Sequence, residues 1–209
     1  MPDTKQKVVD WDTGDLGALH GTIWKALHLG VMDRHSGFHT PAVATVEAGV
    51  PGLRTVVLRQ CDERARWLQF HTDARAPKVA ALRANPHLTW LFYDVEEKVQ
   101  LRVGSVATLH ADDAVMQQAW ETTRLFSRRC YLAAHAPGMP LSEASSGLPQ
   151  HLQGAQPTEA ESEAGRDNFL VVRARVTDIE WLYLLSTGNI AARFAYKEDD
   201  AVDATWLAP

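Results

Sequence analysis

The chain has 209 residues, 45% of them hydrophobic and 22% charged, and a formal net charge of −5. That length holds one good core, or a core plus a helical appendage, and the balance is that of an ordinary globular protein. A negative chain without a basic cluster argues against nucleic-acid binding, and no apolar run reaches membrane-spanning length.

The N-terminus, MPDTKQKVVDWD, lacks the apolar centre of a signal peptide, and residues 1 to 12 read as frayed. From Thr13 the spacing Leu16, Leu19, Ile23, Leu27 draws one apolar helix stripe, with Trp24 and Val31 beside it. Asp12 or Thr13 is the expected N-cap and Gly30 the expected stop, so the helix is predicted over residues 13–32. Nothing in it suggests catalysis; it packs its stripe on the rest of the fold. His35 and His39 could share a helix face, but no cysteine or glutamate pattern joins the nine scattered histidines. No metal site is expected. Two cysteines, Cys61 and Cys130, with no C-x-x-C pair, argue for free thiols in a reducing compartment, the cytoplasm.

Phe38 to Glu47 reads as a first strand, placed near an edge by Pro41. Ala48 to Gly52 is turn material, and a strand Arg54-Thr55-Val56-Val57-Leu58-Arg59 completes the hairpin. A polar turn, Asp62 to Arg66, separates it from a second apolar run, Trp67 to Phe70, which leads into His71-Thr72-Asp73. Pro77-Lys78 opens a helix that ends at Asn85. Leu88 to Tyr93 is nearly all apolar, so both its faces should be covered, as in a closed barrel. Val99 to His110 is a long strand in which Gly104 suggests a bulge. Asp112 should cap a helix carrying Val115, Ala119 and Trp120 and running on toward Ser127-Arg128-Arg129. Residues 133–165 are rich in Pro, Gly, Ser, Gln and Glu, and read as a long mobile loop with room for one helical turn, either a lid or a disordered segment. Phe169 to Thr177, Trp181 to Leu185 and Ile190 to Tyr196 are three more strands, with a hairpin turn at Ser186 to Asn189. The sum is one domain over residues 1–209, mainly β, with six to eight antiparallel strands closed or split into a barrel and flanked by helices.

The cations mark a candidate site. Arg54 and Arg59 bracket one strand, Lys78 lies in the first turn of a helix, and Thr72 ends the strand before it. A helix N-terminus with Lys and Arg beside it suits a phosphate. Five residues apart, Arg54 and Arg59 point to opposite faces of a regular strand, about 16 Å apart along it. One ligand touching both must be long, or the strand must bend; a mononucleotide cofactor meets the first condition. The alternative is surface arginines solvating a barrel rim, a solvated Lys78 and a Thr72 that merely fills a strand.

The ordered set Arg54-Thr55-Val56-Val57-Leu58-Arg59, Phe70-His71-Thr72-Asp73, Lys78 and Asn85-Pro86 resembles the pyridoxamine 5′-phosphate oxidase family of flavin mononucleotide (FMN) proteins. That family reads Arg-x-Val-Leu-Leu-Lys, Phe-Tyr-Thr-Asn, Ser-Arg-Lys and then Asn-Pro. The likeness continues through Ile179-Glu180-Trp181, Arg193-Phe194-x-Tyr196 and Trp206-Leu207-Ala208-Pro209. The resemblance implies an FMN-binding split barrel acting as a homodimer, with FMN at the subunit interface and a small-molecule substrate. It implies phosphate binding by Arg54 and Lys78, a position nearer the ring for Arg59, and a cradle completed by Thr72 and the backbone at His71. It brings Gln100, Ser127 and Arg128 toward the flavin, and Trp181 and Arg193 across the interface. Gln100 is displaced by one residue relative to Gly104, a slip that would flip its face. Where the family has Ser-Arg-Lys this chain has Ala76-Pro77-Lys78, so Arg75 is the candidate to replace the missing arginine. The family's Arg-x-His before the last arginine is Asn189-Ile190-Ala191 here, which argues against pyridoxamine phosphate as the substrate. An oxidoreductase passing a hydride between another small substrate and FMN is the expectation; no catalytic residue is singled out. A non-catalytic flavin carrier or sensor, or a split barrel using deazaflavin or haem, are the alternatives.

Overall fold

The computed structural model describes residues 9–11, 14–199 and 201–209. Helix α1 (Leu16–Met32) starts where the Asp15 carboxylate accepts the Ala18 amide at 2.7 Å. The expected cap, Asp12 or Thr13, lies outside the described residues, as does most of the segment expected to fray; Val9 and Trp11, inside that segment, are buried. Leu19, Ile23 and Leu27 face the core as the stripe predicts. Gly30 does not stop the helix. A Cβ there would lie 2.9 Å from the Phe38 backbone, so glycine permits a close crossing two residues before the end. His35 and His39 lie beyond the helix, not on a face of it; His39 Nδ1 donates to the Gly30 carbonyl at 2.7 Å.

Strand β1 (Ala42–Glu47) pairs with β2 (Val50–Thr55) through a two-residue turn, Ala48-Gly49, both at positive φ. Only those two residues need the left-handed region, so Val50, Pro51 and Gly52 join the ladder rather than the turn, with Pro51 on a strand that ends the sheet order. The strand expected to run from Arg54 to Arg59 ends at Thr55. Val56 and Leu58 instead donate to the carbonyls of Pro41 and His39, and Arg59 donates to Gln69. Residues 56–59 thus cross from one end of the sheet to β3 (Gln60–Asp62) and β4 (Trp67–Asp73) at the other. The ladders run β2-β1-β5-β6-β7-β4-β3 and do not close; the four-residue crossing spans the split.

Helix α2 (Pro77–Ala84) leads to β5 (His87–Asp94). On β5 Leu88, Trp90 and Phe92 are buried, but Leu91 and Tyr93 are exposed, so the expected cover on both faces is found on one face only among the described residues. Strand β6 (Val99–His110) shifts register between Gly104 and Ser105. Its partner β7 (Phe169–Tyr183) is one strand where two were predicted: Gly104 faces Asp178 and Ser105 faces Val176, so Thr177 is the extra residue and the polar Thr177-Asp178 pair sits in a bulge instead of a break. β8 (Ile190–Tyr196) and β9 (Val202–Leu207) bring the described strands to nine, against the six to eight expected. β9 escapes a pattern reading because most of it is exposed.

Helix α3 (Ala114–Thr122) is capped by Asp113 rather than Asp112, and the chain breaks at Thr123 before α4 (Leu125–Arg128). Residues 133–165 contain a 3₁₀ turn at residues 150–152 and α5 (Glu159–Glu163), which has a Thr158/Glu161 capping box. They are anchored where Arg129 donates to the carbonyls of Leu152 and Ala155. The main core lies inside the sheet, under α1. A smaller one, Met116, Ala119, Trp120, Phe169 and Val171, lies under α3 on the far face of β7.

Inside the sheet, Trp90 Nε1 donates to Ser105 Oγ at 3.0 Å, and that hydroxyl donates to the Leu88 carbonyl at 3.2 Å, all three buried. Ser105→Ala strands the indole N–H, and should lower stability by about 1–3 kcal/mol in urea denaturation, whereas Ser105→Thr should recover most of the loss.

Candidate functional site

β2, the end of β4 and the tip of α2 bring Arg54, Thr72 and Lys78 into one cluster. Arg54 and Thr72 are register partners of the core residues Val43 and Leu170, so both point inward at one end of the sheet. Arg54 donates to Thr45 Oγ1 at 2.6 Å and the Gly52 carbonyl at 2.8 Å, and forms an ion pair with Glu47. A Cβ on Gly52 would collide with that ion pair, so glycine makes room for it. Lys78, half-buried, donates to Thr72 Oγ1 at 3.1 Å. Burial first, and then Arg54, hold its pKa below the usual lysine range, while Asp73 and Glu47 pull the other way. No side chain caps α2, and Pro77 at its first turn has no N–H to offer. Arg75, the candidate to replace the missing arginine, is engaged within the chain: its Nε and Nη2 clasp Asp73 at 3.0 and 2.7 Å, and Nη2 also donates to the Ala133 carbonyl.

A second cluster lies on the opposite face. The outward and inward alternation survives the crossing: Val56 and Leu58 pack inward, while Thr55 and Arg59 are exposed and Val57 is half-buried. Arg59, His71 and Ser127 line one cleft of about 640 Å³, together with His39 and Arg124. Neither Arg59 nor Arg124 has a carboxylate partner among the described residues. Gln69 Oε1 accepts two bonds from Arg173, which turns the Gln69 amide nitrogen toward His71 Nε2 at 3.2 Å. That imidazole nitrogen must therefore accept, and the His71 proton sits on Nδ1. Phe169 packs edge-on against the ring at 4.8 Å. Burial, and then Arg59, push the His71 pKa down to about 3. The unfolded chain therefore takes this proton first, near its ordinary value of 6.5. The associated stability is complete above that pH and falls as pH drops from 6.5 toward 3, by at most about 1.4 kcal/mol per pH unit. His71→Gln should flatten the fall in urea midpoint between neutral and mildly acidic buffer.

The other expected positions lie elsewhere. Gln100 is on the outer face of β6, on the same side as the Arg102–Glu180 ion pair, and Arg193 faces Glu180 from β8. Trp181, next to Glu180, points the other way: it is buried in the core, stacked on Trp11 at 6.5 Å, with its Nε1 lacking an acceptor. Arg128 is also buried. It lies over the Trp120 ring at 4.6 Å and donates to the Thr123 and Glu121 carbonyls and to Ser162, so it ties α3 and α4 to α5 and does not line the cleft. The sequence reading missed Thr45 and Glu47, which orient Arg54, and Arg124, which no motif singled out.

A family model described as pyridoxamine 5′-phosphate oxidase, FMN-binding domain, matches residues 22–111, the span that holds both clusters except Ser127 and Arg124. A curated relative, pyridoxine/pyridoxamine 5′-phosphate oxidase 2 of Arabidopsis thaliana, is 30% identical over 138 residues, covering 61% of this chain and 69% of the relative. Among solved structures, a pyridoxamine 5′-phosphate oxidase-related, FMN binding protein from Nostoc punctiforme PCC 73102 superposes with a TM-score of 0.70 at 19% identity, covering 97% of this chain and 99% of its own. PhzG from Burkholderia lata 383, in complex with tetrahydrophenazine-1-carboxylic acid, gives 0.69 at 16% identity, covering 95% of each. Likeness at these identities carries the fold, an FMN-binding split barrel.

Proposed function

The chain belongs to the pyridoxamine 5′-phosphate oxidase-related, FMN-binding family, and from that premise we propose that it is an FMN-dependent oxidoreductase acting on a small anionic substrate. The observation that carries this reading is Lys78. It is a half-buried lysine beside Arg54, its charge disfavoured where it stands and its ammonium donating to the Thr72 hydroxyl. Such a site gains most from an added anion, and the FMN phosphate is one. Arg54, Lys78 and Thr72 would hold the phosphate, and Arg59 would lie toward the ring. Bound FMN supplies a ring that accepts a hydride at N5, with oxygen or a nicotinamide as the other partner. Arg59 would favour the negative charge that reduction leaves on the ring, and His71, neutral and accepting at Nε2, would add no competing cation. The open guanidinium groups of Arg59 and Arg124 suit a carboxylate or phosphate on the substrate.

Pyridoxamine phosphate itself is disfavoured, because Asn189 and Ile190 stand exposed at a hairpin where the family carries its Arg-x-His. A homodimer is part of the reading. The outer sheet face presents Leu53, Leu91 and Tyr93 to solvent beside Gln100 and Arg193, which then reach the partner's cofactor. We place the protein in the cytoplasm, where Cys61 and Cys130 stay reduced; no helix among the described residues is long and apolar enough to cross a membrane. The absorbance spectrum of freshly purified protein, with mass analysis of what boiling releases, tests the cofactor. A flavin spectrum with released FMN is expected. A spectrum of haem, or of a deazaflavin, sinks the proposal, and bound FMN that no reductant turns over leaves a carrier or sensor instead.

A further inference from the structure

A relay of three side chains ends on the wall of the cleft that holds Arg59 and Arg124. Gln69 and Arg173 are direct register partners across β4 and β7, and His71 follows Gln69 on the same face of β4. Arg173 donates to Gln69 Oε1 from Nε at 3.2 Å and from Nη2 at 3.0 Å, and its guanidinium lies 4.1 Å from the centre of the Trp67 ring. A guanidinium has only donors, so the atom facing it must be the amide oxygen; a flipped Gln69 would set donor against donor. Gln69 is 1% exposed, so water cannot relieve that clash. Its amide nitrogen therefore donates to His71 Nε2, and the imidazole proton belongs on Nδ1.

That Nδ1 has no hydrogen-bond partner among the described residues, yet it is not one of the side-chain atoms that are both buried and unpaired. It is therefore exposed, on a ring that lines the cleft. The charges around it do not favour an imidazolium. Arg59 acts on the ring from the crossing at residues 56–59, and Arg173 stands behind Gln69 on β7. Arg34, Arg124, His35 and His39 line the same cleft, where Asp33 is the one acid among the described residues. Asp73, two residues along β4, is clasped by Arg75. Beyond Phe169 lies Tyr131, whose phenol burial keeps protonated. An anion seated on Arg59 and Arg124 thus meets one uncharged donor beside it, which favours a ligand with an acceptor next to its negative group.

We propose that Gln69 and Arg173 are positioning residues that lock His71 as an uncharged Nδ1–H donor, and that His71 selects, among small acids, those with a carbonyl oxygen beside the carboxylate. The substrate class is then the 2-oxo acids, which rests on the reading of this cleft as the substrate's anion site. The test is calorimetric titration of the purified protein with phenylglyoxylate and with phenylacetate, which differ by a carbonyl in place of a methylene. Phenylglyoxylate should bind at least about tenfold more tightly, a difference of about 1.4 kcal/mol. His71→Phe should erase that preference while both acids still bind. Gln69→Leu releases Nε2, so the affinity for both acids should rise as pH falls through 6.5, the ordinary histidine value, because the ring then gains a positive charge. Nitrogen-15 NMR reads the lock without a ligand. His71, identified by its loss in His71→Phe, should keep its proton on Nδ1 from neutrality down to about pH 5 in the parent and titrate in Gln69→Leu. Absence of binding, equal affinity for the two acids, a preference that His71→Phe retains, or a parent His71 that titrates near 6.5 overturns the assignment. Neither readout needs flavin. A protein without FMN that shows the lock and the preference sinks the flavin reading alone, and a flavoprotein that shows neither sinks this one alone. If a variant does not fold, the comparison of the two acids on the parent decides.

Discussion

Replacing Arg54 and Lys78 together with alanine will strip FMN from the protein while leaving its fold in place. Each charge-assisted contact to a phosphate contributes about 1.5–3 kcal/mol, so losing both weakens binding by about 3–6 kcal/mol, or two to four orders of magnitude in Kd. The fold tolerates the change because neither residue belongs to the core; Arg54 and Lys78 line its end. The single variants should differ in kind. Lys78→Met keeps the apolar stem over the sheet end and removes only the charge, so its effect falls on FMN alone. Arg54→Ala also frees Glu47 and Thr45, which leaves an uncompensated carboxylate beside the phosphate position and adds repulsion to the lost contact. Arg54→Ala should therefore be the more damaging of the two, read by fluorescence titration of apoprotein with FMN. A double variant that takes up FMN with the parent's affinity would remove the phosphate assignment, because the cluster as described rests on these two cations. Arg75, the nearest candidate in sequence, is held by Asp73.

What was legible in the sequence was whatever local chemistry decides. Pro77 opened α2 where the fixed φ of proline allows, β6 ran from Val99 to His110, and Gly104 marked the register shift. What was not legible depends on partners far along the chain. The crossing at residues 56–59 looks like a strand continuing, because its alternation continues; only its hydrogen bonds, to His39, Pro41 and Gln69, separate it from β2. The polar Thr177-Asp178 pair reads as a strand end, yet β7 accommodates Thr177 as the extra residue of a bulge opposite Gly104 and Ser105 and runs on. The same division holds for the site. The meeting of Arg54, Thr72 and Lys78 could be anticipated from cations placed around a helix tip. The fate of Arg75 and Arg128 could not: one is captured by an acid two residues away, and the other turns inward onto Trp120 because the helix breaks at Thr123. Leu88 to Tyr93 shows a third case. Its composition suggests cover on both faces, yet Leu91 and Tyr93 are exposed.

That outer face yields the second large effect: Leu91→Asp with Tyr93→Asp should turn a dimer into a monomer that no longer keeps its flavin. The register aligns Ala42, Leu91, Arg102, Glu180 and Arg193 in one row across five adjacent strands, with Tyr93 and Gln100 in the next row. Apolar residues flank a centre of alternating charge, an arrangement that can complement its own two-fold copy. Leu53 is 69% exposed, Tyr93 44% and Leu91 39%, a contiguous patch that a monomer would leave in water. Two carboxylates introduced there must lose their hydration without a partner when the copies meet, which weakens association by at least about 100-fold. The folded chain should survive, since both side chains project away from the core and β5 keeps Leu88, Trp90 and Phe92 inside. Sedimentation equilibrium reads the oligomer and absorbance reads the flavin, and the two readings separate the claims. A variant that stays dimeric shows that this face is not the interface. A monomer that retains full flavin shows that each chain grips the cofactor alone, and then Gln100 and Arg193 have no part in holding it. Arg193→Ala completes the set: it should leave the dimer intact, because Arg102 and Glu180 still pair beside it, and loosen FMN about tenfold through one lost charged contact.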